Sequence, residues 1–239
     1  LKIKEENIFL TDGLDGAVRT IFRCYTKENQ SNIIVPEPSY AMYDIYSQMY
    51  QVKAKKIHYN KNYELKYSNI FNQINSNTSI VFLPNPNMPI EGFLTIDKII
   101  ELAEFCKKRK IILFLDEVYY HFNRTNTLSL IKKYENLIIA RSFSKAFGLA
   151  SIRLGYIISN KKNIKYISNS RSAYESNALS TEVASYFIDN YNITNNYVNE
   201  MKKSFIFLKK ELTKLNIEFN GGNNGSYLFI NFKNEKKNK

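Results

Sequence analysis

A chain of 239 residues has room for one large α/β domain or one and a half average ones, and it is far longer than domains that need disulfide or metal staples to fold. Hydrophobic residues at 44% and charged residues at 23% exclude global disorder, a collagen-like repeat and a long coiled coil. The 34 Lys and Arg against 22 Asp and Glu give a net charge of +12, which raises the question of a polyanionic partner.

In chain order, Asn7 to Leu10 is strand-like, and Asp15 to Tyr25 carries Ala17, Val18, Ile21 and Phe22 at helical spacing. Ile33 to Val35 reads as a strand leading into Pro36-Glu37-Pro38, and Tyr40 to Tyr50 as a helix. Further strands are expected at Val52 to His58, Ser79 to Leu83, Ile111 to Leu115, Leu137 to Ala140 and Leu154 to Ile158. Helical segments lie around Lys66 to Ile74, Thr95 to Lys108 and Leu128 to Tyr134. Continuous apolar runs such as Ile-Ile-Leu-Phe-Leu at 111–115 imply burial on both faces, the mark of a mostly parallel sheet flanked by helices. After Ile158 come long helices at Asn163 to Ser172, Leu179 to Tyr191 and Thr194 to Leu215. Ile217 to Phe219 and Ser226 to Phe232 then read as two strands around Gly221-Gly222-Asn223-Asn224-Gly225, ahead of a charged, frayed tail at Lys233 to Lys239. The expected division is a large domain over residues 1–192, then a linking helix and the start of a smaller α/β unit over 193–239.

Cys24 and Cys106 have no Cys or His partner at metal-ligand spacing, so neither a disulfide framework nor a metal site is expected, and a reducing, cytoplasmic setting fits. No apolar run approaches the roughly 20 residues of a membrane helix, and Leu-Lys-Ile-Lys-Glu-Glu lacks the apolar segment of a signal peptide, so no membrane partner and no leader are expected.

In parallel sheets ligands collect at the carboxyl ends of the strands, and four strand ends here carry unusual residues. The turn Thr11-Asp12-Gly13-Leu14-Asp15-Gly16 opens a helix, whose free N–H groups and dipole suit an anion, although the same turn serves as a plain strand-to-helix connection. Pro84-Asn85-Pro86-Asn87-Met88-Pro89 is a stiff loop that presents amide side chains. Asp116-Glu117-Val118-Tyr119 places a carboxylate directly after a buried strand, where it either caps the next helix or meets a cation or proton donor. The fourth site is Arg141-Ser142-Phe143-Ser144-Lys145-Ala146-Phe147-Gly148, with Arg153 eight residues beyond Lys145 (153 − 145 = 8). An amine embedded among Phe, Ala and Gly is a nucleophile toward carbonyls, and two hydroxyls with an arginine suit a phosphate. A single such lysine could equally snorkel at a helix start, but the constellation favours chemistry.

These motifs, Asn-Pro-Asn-x-Pro, Asp-Glu-x-Tyr and Ser-x-Ser-Lys followed by Arg-x-Gly-Tyr, occur in an order that resembles the pyridoxal-phosphate-dependent aminotransferases of the aspartate-aminotransferase fold, class I/II, and most of all the histidinol-phosphate aminotransferases. The similarity runs from about Phe9 to about Phe232. It implies fold type I, a mostly parallel sheet flanked by helices with a small C-terminal α/β domain that is truncated here. It also implies pyridoxal 5'-phosphate as cofactor. Lys145 would form the Schiff base and move the proton, Asp116 would pair with the pyridine nitrogen, and Asn87 and Tyr119 would hydrogen-bond the ring 3-hydroxyl. Tyr40 would stack on the ring. Ser142, Ser144 and Arg153, with the N–H groups of Leu14, Asp15 and Gly16, would hold the phosphate. Tyr174 and Asn177 stand near a Tyr-Asn-x-Asn stretch of the family.

The sequence also departs from the family. Nothing in it corresponds to the N-terminal arm that reaches the neighbouring subunit's site, nor to the C-terminal Arg that binds the substrate carboxylate. Met88 stands where relatives often have Asn or Gly, and Ile90-Glu91 replaces a frequent Thr before Gly92. The resemblance implies a homodimeric aminotransferase acting on small amino and keto acids, with glutamate as a donor and a phosphorylated keto substrate by analogy. The alternative is a decarboxylase of a phosphorylated amino acid, which shares every cofactor residue named. A cofactor-binding but non-catalytic protein and a nucleic-acid binder are more remote, because the lysines are scattered rather than gathered into a patch. His58 and His121 are expected in core or surface roles.

Overall fold

The computed structural model describes residues 3–171 and 176–231. Strand β1 (Ile8–Thr11) runs into helix α1 (Gly13–Tyr25), and β2 (Asn32–Glu37) leads through a loop to α2 (Met42–Met49). The alternation continues through β3 (Lys53–His58), α3 (Ser68–Gln73), β4 (Thr78–Pro84), α4 (Ile96–Lys108), β5 (Ile112–Asp116), β6 (Leu137–Ser142) and β7 (Gly155–Ile158). Helices α5 (Lys161–Ser168), α6 (Ala178–Asp189) and α7 (Tyr191–Lys214) follow, and a hairpin of β8 (Glu218–Gly221) and β9 (Leu228–Asn231) closes the described chain.

Seven strands form one sheet in the order β1-β7-β6-β5-β4-β2-β3. β2, β3, β4, β5 and β6 pair in parallel, while β7 runs antiparallel to both β6 and β1. The sheet is therefore mostly parallel, as its doubly buried runs require. Ile112 and Phe114 of β5 pack in the core on one face, with α1, α2 and α5, whereas Leu113 and Leu115 pack on the other, with α3 and α4. Side chains alternate across a strand, so a strand covered on both faces must be apolar throughout. The apolar spacing of α1 has the same cause, since Ala17, Val18, Ile21 and Phe22 are all fully buried against the sheet.

Several boundaries differ from the sequence reading. α5 starts at Lys161 and ends at Ser168, because Asn160 caps it by accepting a 3.0 Å bond from the Asn163 N–H. The segment expected as a helix at Leu128 to Tyr134 is a short 3₁₀ turn over Leu128–Lys132, closed by bonds such as Leu130 N–H to Thr127 O at 3.0 Å. α6 and α7 are separated by Asn190 alone, which ends one and begins the next. No α-helix follows Asp116, since residues 118–122 form turns. Ser172, Tyr174, Phe232 and the tail from Lys233 lie outside the described residues; Asn177 caps α6.

Among the described residues no helix is long and apolar enough to cross a membrane, and no group of three or more His, Cys, Asp or Glu could hold a metal ion.

Candidate active site

One edge of the sheet gathers the carboxyl ends of β1, β4, β5 and β6, and the antiparallel β7 brings its amino end to the same edge, where Gly155 pairs with both Thr11 and Ser142. A cleft of about 170 Å³ opens there. Leu14, Asp15, Tyr40, Asn87, Asp116, Tyr119, Ser142, Ser144, Lys145 and Arg153 all line it, together with Pro84, Pro86, Met88, Val118 and Ala150. Of the eleven residues singled out in the sequence, Gly16 is the exception. Asp12 is the N-cap of α1 and Gly16 is its fourth helical residue, so the Gly16 N–H is spent on the Asp12 carbonyl at 3.1 Å. The N–H groups that helix geometry leaves free are those of Gly13, Leu14 and Asp15, one position earlier than the sequence suggests.

Asp116 is 3% exposed and ends β5. Burial pushes its carboxyl up to about 6, against the opposing pull of the Tyr43 hydroxyl, which donates to Oδ2 at 2.7 Å, and of the Val118 N–H, which donates to Oδ1 at 3.0 Å. Glu117 adds to the upward shift and Lys145 opposes it. An acid so placed is poised near neutrality and ready to meet a cation or a protonated ring nitrogen.

On the β4 side the stiff proline loop holds Asn87, which is 1% exposed. Its side-chain N–H donates to the Pro38 carbonyl at 2.8 Å, and its Oδ1 accepts from the Ser39 hydroxyl at 2.6 Å. The Tyr59 hydroxyl is a further side-chain hydrogen-bond partner of Asn87, so the amide is held on several sides at the cleft wall. Tyr119 is buried, which with the nearby Asp116 pushes its phenol up to about 12, and its hydroxyl donates to the weak thioether acceptor of Met88 at 3.4 Å. The Tyr40 ring stands edge-on to Tyr43 at 6.0 Å, and its hydroxyl donates to Asp15 at 2.6 Å.

On the β6–β7–β1 side the Ser142 hydroxyl donates to Ser144 Oγ at 2.8 Å, and the Ser144 N–H donates to Ser142 Oγ at 3.1 Å. Arg153 approaches Asp15 at 3.2 Å and Asp12 at 3.5 Å. Its own backbone is left-handed, with φ 51°. A Cβ on Gly13 would come within 2.8 Å of the Arg153 guanidinium, so the glycine makes the room that lets arginine lie across the start of α1.

Lys145 sits in the turn after β6 rather than on a helix, with its Nζ 5.7 Å from the centre of the Tyr119 ring. The expectation that phenylalanines enclose it needs correction. Phe143 and Phe147 point away, packing with Leu154 and Ala184 beneath the loop, and Lys145 is half-buried with buried Ala146 as its apolar neighbour. Glu117 faces away from the cleft too. It pairs with fully buried Arg141 at 2.7 Å and accepts from Thr127 at 2.5 Å, while the guanidinium lies 3.3 Å over the Tyr120 ring. The neighbouring acids of the Asp-Glu pair thus have different work, one facing the cleft and one anchoring the floor. His58 is exposed on edge strand β3. His121 is half-buried against Phe147 and Tyr191, and burial beside Arg141 and Arg124 lowers it to about 4.

The family model for aminotransferase class I and II matches residues 1–239. The chain belongs to that family. A curated relative from Caldanaerobacter subterraneus subsp. tengcongensis, a histidinol-phosphate aminotransferase, is 31% identical over 218 residues, covering 90% of this chain and 60% of the relative. The histidinol-phosphate aminotransferase of Sinorhizobium meliloti, solved in complex with pyridoxal-5'-phosphate, superposes with a TM-score of 0.88 at 17% identity, covering 97% of this chain and 63% of that one. The L-threonine-O-3-phosphate decarboxylase of Porphyromonas gingivalis superposes with a TM-score of 0.81 at 22% identity, covering 99% of this chain and 75% of that one. The architecture is thus fold type I of the pyridoxal-phosphate-dependent transferases, and the chain spans about 60% of the length of the curated relatives it matches.

Sequence reasoning missed Tyr43, the hydroxyl partner of Asp116. Its signal was present, since Tyr43 lies three residues after Tyr40 and so shares its side of the segment that enters α2. Tyr227 was also missed. Its hydroxyl donates to the Asn87 carbonyl and its ring stands edge-on to Tyr119 at 5.1 Å, contacts across more than a hundred residues that no local pattern announces.

Proposed function

We propose that the chain binds pyridoxal 5'-phosphate in this cleft and works as an aminotransferase, moving an amino group between an amino-acid donor such as glutamate and a small keto substrate, phosphorylated by analogy with its relatives. One observation carries the reading. A single cleft is lined by a buried carboxylate on β5, a lysine, and a cluster of two serine hydroxyls, an arginine and free helix N–H groups on the β6–β7–β1 side.

The donor set fits the cofactor chemically. Asp116 would pair with the protonated ring nitrogen, Asn87 and Tyr119 would bond the ring hydroxyl, and Tyr40 would cover one ring face. Ser142, Ser144, Arg153 and the N–H groups of Leu14 and Asp15 would hold the phosphate, and Gly13 offers a further free N–H. When bound, the cofactor supplies an aldehyde that captures amines and a ring that withdraws electrons from the attached carbon. Lys145 would hold that aldehyde in the resting state and carry the substrate proton as a base. The apolar walls of Leu14, Met88 and Val118 limit water at these groups.

The working unit in this reading is a homodimer, by analogy with the family, and no nucleic acid is involved. Some lysines are answered locally: Lys56 by Glu37 and Asp44, Lys161 by Glu6, Lys203 by Glu200 and Lys214 by Glu211.

Incubating the purified protein with pyridoxal phosphate and glutamate tests the reading. The expected result is a yellow protein whose visible band fades as 2-oxoglutarate appears in proportion to bound cofactor. A colourless protein that takes up no cofactor would refute it. The phosphoamino-acid decarboxylase is the second reading, since a decarboxylase shares the fold. Carbon dioxide release from a phosphoamino acid, without keto-acid formation, would select it.

A further inference from the structure

The proline loop after β4 and the turn of the closing hairpin meet through one side chain. Glu91 Oε1 accepts the backbone N–H groups of Asn223 at 3.1 Å, Asn224 at 2.6 Å and Gly225 at 3.0 Å, and Oε2 accepts from Asn223 Nδ2 at 3.1 Å. The Glu91 N–H donates in turn to Asn220 Oδ1 at 3.1 Å. Gly221 and Gly222 have φ of 101° and 70°, conformations that favour glycine and that turn the following N–H groups toward one point. The turn between Gly221 and Gly225 contains only glycine and asparagine, so its attachment here is polar.

Directly after this turn, Tyr227 donates its hydroxyl to the backbone carbonyl of Asn87 and sets its ring against Tyr119. A two-stranded hairpin is marginal by itself, and a further aromatic contact is Phe229 edge-on to Tyr63 at 5.5 Å. Fastening the turn therefore fixes where Tyr227 reaches the cleft wall.

We propose that Glu91 is a positioning residue, whose carboxylate clasps the Gly221–Gly225 turn and through Tyr227 holds Asn87 at the edge of the cleft. The clasp stands on contacts within this chain, and only the meaning of Asn87 rests on the cofactor reading above. Charge-assisted bonds from three amides to one oxygen are the kind whose loss is read directly in amide exchange.

The test compares wild type, Glu91→Ala, Glu91→Gln and Tyr227→Phe by ¹H–¹⁵N spectra of the cofactor-free chain and by pyridoxal phosphate titration. Glu91→Ala is expected to speed exchange of the 223–225 amides at least about ten-fold, with Glu91→Gln in between because it keeps one acceptor oxygen. Tyr227→Phe leaves that exchange unchanged, and both Glu91→Ala and Tyr227→Phe move the Asn87 side-chain amide signal and weaken cofactor binding several-fold. Unchanged exchange in Glu91→Ala would overturn the clasp. An unmoved Asn87 signal, or undiminished cofactor affinity in Glu91→Ala, would overturn the positioning role. A wild type that takes up no cofactor would refute the cofactor reading instead, and the clasp and its hold on Asn87 would still be decided by the exchange and amide signals.

Discussion

The Tyr43 hydroxyl donates a 2.7 Å hydrogen bond to Oδ2 of Asp116, joining α2 to the end of β5 inside the core, where the two residues are 1% and 3% exposed. Burial raises Asp116 from an ordinary 3.8 to about 6, while this bond favours the ionised form. A carboxyl raised on folding keeps its proton more tightly in the folded chain, so its ionisation opposes folding above about pH 6, and the penalty is relieved as the pH falls toward 4. Among its charged and titratable surroundings, Glu117 disfavours its charge and Lys145 favours it, while Asp116 in turn helps to push the Tyr119 and Tyr40 phenols up.

Tyr43→Phe removes the donor and leaves the ring. A hydrogen bond to a charged group contributes about 1.5–3 kcal/mol, so the Asp116 carboxyl should rise further and hold its proton at neutral pH. Retention of pyridoxal phosphate, measured against pH, is expected to fall on acidification through the range near 6 in the wild type, and to start falling at higher pH in the variant. An identical profile would show that the bond does not tune Asp116.

Arg153 tests the phosphate side. Replacing it with glycine keeps its left-handed backbone comfortable while deleting the guanidinium. Losing charge-assisted bonds of about 1.5–3 kcal/mol predicts a roughly 10–100-fold weaker Kd for pyridoxal phosphate. Pyridoxal without its phosphate should bind wild type and variant equally; a comparable loss for both would remove Arg153 from phosphate binding.

Gly155 tests the packing that brings β7 to the head of α1. A Cβ there would lie 2.7 Å from the Gly13 carbonyl carbon and 3.0 Å from the Arg141 carbonyl oxygen, both backbone atoms that have little freedom to give way. Gly155→Ala should therefore lose about 1–3 kcal/mol of stability by overpacking, seen as a lower melting temperature. An unchanged melting temperature would contradict the close approach.

Glu117 tests the floor. Its removal leaves the Arg141 guanidinium buried and unpaired, a loss of about 3–5 kcal/mol by the usual behaviour of broken buried ion pairs. Urea unfolding of Glu117→Gln should show that loss, and the double change with Arg141→Met should recover much of it, because no stranded charge then remains.

The fold was legible because its sheet is covered on both faces: the runs in β4, β5 and β6 are apolar throughout, and α1 shows its buried stripe at helical spacing. Asp116, Asn87, Ser142 and Lys145 stood out for a related reason, as polar residues in or just after runs that otherwise exclude them. What stayed hidden depends on three-dimensional partners. Which N–H groups at the start of α1 are free follows from the exact cap at Asp12, which put Gly16 out of the cleft. Phe143 and Phe147, two residues to either side of Lys145, turn to the opposite side of the loop. Glu91 and Tyr227 each act through a residue more than a hundred positions away in the chain, so local pattern carries no trace of the pairing.

The role of Lys145 is read most directly by incubating the protein with pyridoxal phosphate, reducing with borohydride and mapping the modified peptide by mass spectrometry. One phosphopyridoxyl group per chain is expected, on Lys145, and none in Lys145→Ala. Modification spread over other lysines, or none at all, would contradict that role.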